Sequence, residues 1–325
     1  MTFIPIVILK NSSISIYAAE THISKLSAAC AKKLFLRIAI NKGGRPLALG
    51  TRKKLKQALR NGEITLMVLG IVQKMKKHRF LFEELVKRDF KKKYKRTVLG
   101  MLWSLLSPLF MLLVMALVFT HFFGRSTPHY VVYMFAGNLV YSYFKDATNG
   151  GMGSLVANAG IFTKVNVPKY LFLLSRNVSA LINFLLTLVV FFIFVAADGI
   201  AFTWKFLMLL YPIGCLVIFN IGVGLILSAL FVIFKDIQYL YDIFTLALMY
   251  FSAIFYNIES YALHYRYVFY ANPVYVYIRY FRKIVIENTI PQPSFHLLCA
   301  FYALAVLVIG ALIYKKYNYK FLYYV

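Results

Sequence analysis

Six apolar runs between residues 101 and 314 constrain this chain more than any other feature. They cover Met101 to Phe123, about Pro128 to Gly150, about Leu171 to Ala197, Phe206 to Phe234, about Ile237 to Asn257 and about Phe295 to Tyr314. Each is near or above the ~20 residues that a helix needs to cross the hydrocarbon core of a bilayer. Hydrophobic residues make up 61% of the chain and charged residues only 15%, whereas soluble domains are usually ~45–50% apolar. The reading is an all-α integral membrane protein with six transmembrane helices.

Six crossings put both termini on one side, and the distribution of Lys and Arg decides which side that is. From residue 75 onward the proposed inner segments hold 18 such residues and the outer segments 6. Both termini are therefore expected in the cytoplasm, in a multi-pass protein of the cytoplasmic membrane. The second run turns polar at Lys145 and Asp146, and every orientation after it depends on it.

Two further segments belong to this membrane reading. In the segment that begins at Arg79, Phe82, Val86, Phe90, Tyr94 and Val98 form a row flanked by Leu81 and Leu85, while Lys87, Arg88, Lys91, Lys92, Lys93, Lys95 and Arg96 crowd the remaining positions. An apolar stripe backed by cations suits the headgroup region of anionic lipid, so an amphipathic interface helix is expected to feed the first span. Between spans five and six, Ile258 to Pro293 is too polar to cross and too apolar for a free loop. Short re-entrant helices in the outer leaflet fit it, provided that protein covers their backbone. The net charge of +26 lies beside apolar spans rather than on a folded polar face, which argues against a nucleic-acid partner.

Residues 1–74 form an N-terminal extension with basic patches and breakers at Gly43, Gly44, Pro46 and Gly62, and show no domain-sized core. Of a genuine cytoplasmic extension and a native start at Met75, the sequence favours the second, which leaves residues 75–325 as the transmembrane domain.

Several kinds of chemistry find no residues to carry them. A G-x-x-x-x-G-K-[ST] phosphate loop is missing, so any work driven by ATP needs a partner subunit. The six histidines are dispersed and the three cysteines far apart, which predicts no metal site and no bound cofactor. Arg176, Lys145, Asp146, Asp236 and Asp242 all fall near the expected inner ends of spans. Proton- or ion-coupled transport, which places charges deep in the membrane, is disfavoured, and no catalytic residue is expected. The 25 Tyr and 30 Phe suit an interfacial aromatic belt or, alternatively, the stacking of sugar rings.

Particular strings add a resemblance. Arg88, Asp89, Lys91, Lys93, Tyr94, Lys95, Arg96, Thr97, Leu99, Gly100, Trp103 and Pro108 follow in order. Next come Gly137 and then the element Asn158, Ile161, Phe162, Lys164, Val167, Pro168 and Lys169. The run from Gly222 to Leu240 and the pair Asn272 and Pro273, followed by Arg279 or Arg282, complete the set. Together these resemble the ABC-2 type permeases that export polysaccharide, O-antigen, teichoic acid or polyol phosphate chains. One departure is Ala253, where the family's S-P-[IV]-x-Y element has proline.

The resemblance implies a permease homodimer paired with ABC ATPase subunits, which hold ATP and Mg, and a lipid-linked glycan as cargo. It implies that Asn158 to Lys169 couples to the ATPase and that the segment from Arg88 to Gly100 is a gate or interface helix whose lysines attract lipid diphosphate. A substrate channel lined from Trp103, Phe110, Tyr250, Phe251 and Tyr256 is expected. The alternatives are an ABC-2 permease for a small lipid or drug, and a membrane-embedded transferase acting on lipid-linked sugars.

Overall fold

The computed structural model describes residues 78–94, 99–123, 128–258, 263–319 and 321–324; the expectation for residues 1–74 and the roles of Lys95 and Arg96 lie outside the described residues. Every regular element among the described residues is helical. In chain order these are α1 (Arg79–Tyr94), α2 (Trp103–Phe123), α3 (Tyr130–Met152), α4 (Ser154–Ala157), α5 (Ala159–Phe162), α6 (Tyr170–Ala197), α7 (Leu210–Ile233), α8 (Ile237–Phe251), α9 (Leu263–Tyr270), α10 (Pro273–Val285), α11 (Pro293–Tyr317) and α12 (Phe321–Tyr324), with 3-10 turns at Gly100–Leu102 and Trp204–Leu209.

By length and composition, three helical stretches are long and apolar enough to cross a membrane: Tyr170–Ala197, Trp204–Ile233 and Pro293–Tyr317. Trp103–Phe119 and Ile237–Phe251 are apolar but shorter. The fifth run thus ends in helix at Phe251 and not at Asn257. The remaining expected span, α3, is set apart by its polar residues. Its first part, Val132 to Tyr141, is buried in the bundle throughout, whereas Ser142, Lys145 and Asp146 toward its end are exposed. Helix α6 has 28 residues, about 42 Å at ~1.5 Å per residue, longer than the ~30 Å core requires.

Helix α3 is the centre of the bundle and packs against α6, α7 and α10, while α7 and α11 form the most extensive helix pair. In lipid the tails are as apolar as leucine, so close backbone approach at small residues drives such pairing. Here Gly222 of α7 faces the backbone of α11; a Cβ on it would stand 2.6 Å from the amide nitrogen of Leu307. Gly310 of α11 lies against the Gly222 carbonyl in turn.

The segment from Ile258 to Pro293, expected to hold short helices, contains α9 and α10. Helix α10 starts cleanly: Asn272 accepts a 3.0 Å hydrogen bond from the Val274 amide, and Pro273 takes the first turn, where a missing N–H costs nothing. It is then buried almost throughout, from Val274 to Ile278 and from Tyr280 to Arg282. Helix α8 breaks at the place where the family pattern has proline. Without proline the break is made by Ala253 in the left-handed region, at φ 48°. The Asn272 side chain holds the broken end by donating to Ser252 Oγ at 3.0 Å and to the Phe251 carbonyl at 3.2 Å.

Candidate functional site

The segment Asn158 to Lys169 folds as the end of α4, the short α5 and a turn into α6. Its residues divide sharply between inside and outside. Asn158, Phe162 and Val167 are buried, Ile161 and Pro168 are half-buried, and Lys164 is exposed beside the likewise exposed Val165. Lys169 turns inward: its Nζ donates to the Asn318 carbonyl at 2.8 Å and lies over the rings of Phe162 and Phe321, at 5.7 and 5.5 Å from their centroids. Burial pushes its ammonium pKa down.

A polar knot joins this segment to the interface helix. Arg88 of α1 donates through Nη2 to Asn158 Oδ1 at 2.7 Å and to Asp89 Oδ1 at 2.8 Å. The Asn158 amide donates back to the Ser154 carbonyl at 2.7 Å. The Asp89 side chain is fully buried, and its other oxygen accepts from Ser175 Oγ at 3.2 Å and pairs with Arg176 Nε at 3.3 Å. A carboxylate removed from water is tolerable only with such partners. Three sequence segments, α1, the α4–α5 turn and the start of α6, are thereby locked into one unit.

The apolar row expected on α1 is only half-buried at Phe82, Val86 and Phe90; the fully buried positions are Leu85 and Asp89. The buried edge of α1 thus lies one position before the row, at Leu85, which flanks it, and at Asp89, which pairs with Arg88 and Arg176. Lys91 stays exposed, whereas the side chains of Lys92, Lys93 and Tyr94 lie outside the described residues. Gly100, at φ 51°, turns the chain into α2, a conformation that glycine adopts at little cost.

A cleft of about 500 Å³ opens between α2, α3 and α6. On α3 it is lined by Asn138, Ser142 and Asp146, four residues apart and so on one helical face. Asn183 and Thr187 of α6 repeat that spacing, and Ser104 and Ser107 of α2 close the third side. Among the five aromatics expected to line a channel, only Trp103 borders this cleft. Phe110 lies on the exposed face of α2, and Tyr250 and Phe251 on the exposed end of α8. Tyr256 donates its hydroxyl to the Tyr250 carbonyl at 2.7 Å. The abundance of aromatics drew the expectation to them; the polar residues spaced by four are the signal that locates the cleft.

Arg282, one of the six cations in the segments expected outside, is buried, 1% exposed. It donates to the backbone carbonyls of Tyr133, Ala253 and Ile254 at 3.1, 2.8 and 3.0 Å and stacks 3.4 Å from the centroid of the Tyr133 ring. Arg279, the other candidate for the family's arginine, pairs with Glu287.

The sequence is similar to those of named transport proteins. The chain is 27% identical to the O-antigen export system permease protein RfbA of Klebsiella pneumoniae over 247 residues, covering 74% of this chain and 95% of that protein. It is 30% identical to the protein of the same name from Myxococcus xanthus over 175 residues, 53% of this chain and 66% of the other. The polysialic acid transport protein KpsM of Escherichia coli is 24% identical over 236 residues, 72% and 92% of the two chains. The sequence model of the ABC-2 type transporters matches residues 81–286, which takes in α1 through α10 and the polar knot, and the chain belongs to that family.

Proposed function

We propose that this chain is the membrane permease of an ATP-driven exporter that moves a lipid-linked polysaccharide from the cytoplasm to the outer face of the cytoplasmic membrane. The observation that carries the reading is near full-length similarity to permeases named for O-antigen export and polysialic acid transport, over 95% and 92% of their lengths. ATP and Mg belong to a separate ABC ATPase, and two copies of the permease form the translocating unit. The six crossings are α2, α3, α6, the stretch from Trp204 to Ile233, α8 and α11, with both termini inside and α9 and α10 dipping into the outer leaflet.

In this reading the exposed Lys164 and Val165 meet the ATPase, and the polar knot carries the resulting movement to α1 and α6. A packed unit held by buried hydrogen bonds moves as one body, so a push on one part displaces all three. The cations of α1 attract the phosphate of the lipid carrier through the basic inner surface. Deleting the gene should strip long-chain glycan from the cell surface and leave lipid-linked glycan inside, and affinity purification of the chain should bring down an ABC ATPase. Normal surface glycan in the deletion strain would sink the proposal.

A further inference from the structure

Of the two lysines between Asn158 and Lys169, Lys164 faces out and Lys169 turns inward. What receives Lys169 lies 149 positions along the chain, at Asn318. Burial opposes the charge, and no carboxylate offsets that cost among the described residues. The Asn318 carbonyl and the faces of Phe162 and Phe321 do so instead.

These rings belong to a continuous row. Phe172 of α6 lies 6.1 Å from Phe162 of α5, the Lys169 ammonium joins Phe162 to Phe321 of α12, and Phe321 lies 5.0 Å from Tyr314 of α11. Phe321 is completely buried although Tyr319 and Tyr323 beside it are 87% and 90% exposed. One ring is thus singled out to anchor the tail. The same apolar cluster takes in Leu225, Ala229 and Val232 of α7, and α12 packs against α7. The family match ends at residue 286, so the row ties the matched region to α11 and α12 beyond it.

We propose that residues 314–321 brace the coupling segment and carry its movement into α7 and α11, with Phe321 as the positioning residue that holds Lys169. The inference rests on the reading that residues 158–169 couple to the ATPase, and adds a second route to it. The polar knot leads to α1 and α6; this contact leads to α7 and α11. A turn pushed by the ATPase either takes Asn318 and Phe321 with it or pulls the ammonium off a part-buried carbonyl and two rings. The second course leaves polar groups short of partners away from bulk water. Closely packed side chains therefore answer the push by moving together. Helix α11 in turn meets α7 backbone to backbone at Gly222 and Gly310, so displacement of the tail reaches both helices.

The test uses the whole permease with its ATPase. Surface glycan is measured in cells that carry each variant in place of the parent chain, and ATP hydrolysis and the amount of copurifying ATPase are measured on the complex in lipid nanodiscs. Phe321→Ala should keep the ATPase and its hydrolysis but lower surface glycan roughly fivefold or more. Phe321→Tyr, which keeps the ring, should restore export, and Tyr323→Ala should export like the parent. Lys169→Met should lower export as Phe321→Ala does, and the double variant should do no worse than either single one, because each removes the same contact. Where Phe321→Ala is not recovered from the membrane, Lys169→Met, which keeps an apolar stem, decides by the same readings. Parental export in either recovered variant, or additive losses in the double variant, would overturn the brace. Loss of the ATPase from both single variants would make the tail a docking surface and overturn it as well. A Lys164→Glu chain that keeps both the ATPase and export at the parental level would instead overturn the coupling reading, whatever the Phe321 variants do.

Discussion

Arg282 brings a guanidinium into the interior of the bundle and spends its hydrogen bonds on three backbone carbonyls, two of them at the break after α8. Those carbonyls have no helical partner because the chain turns at Ala253, so the arginine replaces the bonds that the break removes. Space for it is reserved on α3: a Cβ at Gly137 would stand 2.6 Å from Arg282 Nη2. Replacing Arg282 by methionine should lower stability by about 3 kcal/mol or more, measured as unfolding in detergent. An unchanged midpoint would show that the carbonyls find water. The sequence could not reveal this role, since a cation written in a loop looks the same whether water or carbonyls receive it. Its only trace was its place after Asn272 and Pro273, for which Arg279 was the other candidate. Asp89 was equally opaque, as its burial depends on Arg176, which is 87 positions away by the numbering.

Helices in this chain meet through two different devices, and each can be broken separately. The α7–α11 pair depends on close backbone approach at Gly222 and Gly310. A leucine at Gly310 should force the helices apart and lower the yield of folded protein in the membrane, as gel-filtration profiles would register; a wild-type profile would mean that α11 slides to accommodate it. The junction of α1 with the α4–α5 turn depends instead on polar contacts. Asn158→Leu removes both the acceptor for Arg88 and the donor to the Ser154 carbonyl. The expected outcome is a complex that still hydrolyses ATP but exports less glycan per ATP consumed, by roughly an order of magnitude. Equal coupling ratios in variant and parent would rule out the knot as the transmitting element. Helix existence was legible throughout from apolar runs and from the Asn-Pro start of α10. Helix ends were not: α8 stops at Phe251 because Ala253 turns left-handed, and no local signal marks an alanine for that conformation.

At the scale of the whole molecule, the proposed topology places the turn after α10 outside and the end of α11 inside. A cysteine at the exposed Thr289, on the Cys30→Ser background, should react with a membrane-impermeant maleimide in intact cells. One at the exposed Tyr319 should react only after the membrane is opened. The reverse pattern would mean that α3 does not cross, which would invert everything after it. Membrane residence and helical class followed from the sequence alone, because the cost of exposing backbone polar groups to hydrocarbon leaves long apolar runs little choice but helix. The family was legible too, since its motifs are short and contiguous, as in the run from Arg88 to Gly100 and the element around Asn158. What only the tertiary structure decided is which polar and charged residues leave the surface and whom they meet. Asp89 with Arg176, Arg282 with the carbonyls after α8, and Tyr241 with Thr148 all join positions far apart in the chain. Hydrophobic burial depends on each residue's own side chain and leaves a periodic trace, whereas a buried polar contact exists only when two distant segments arrive together.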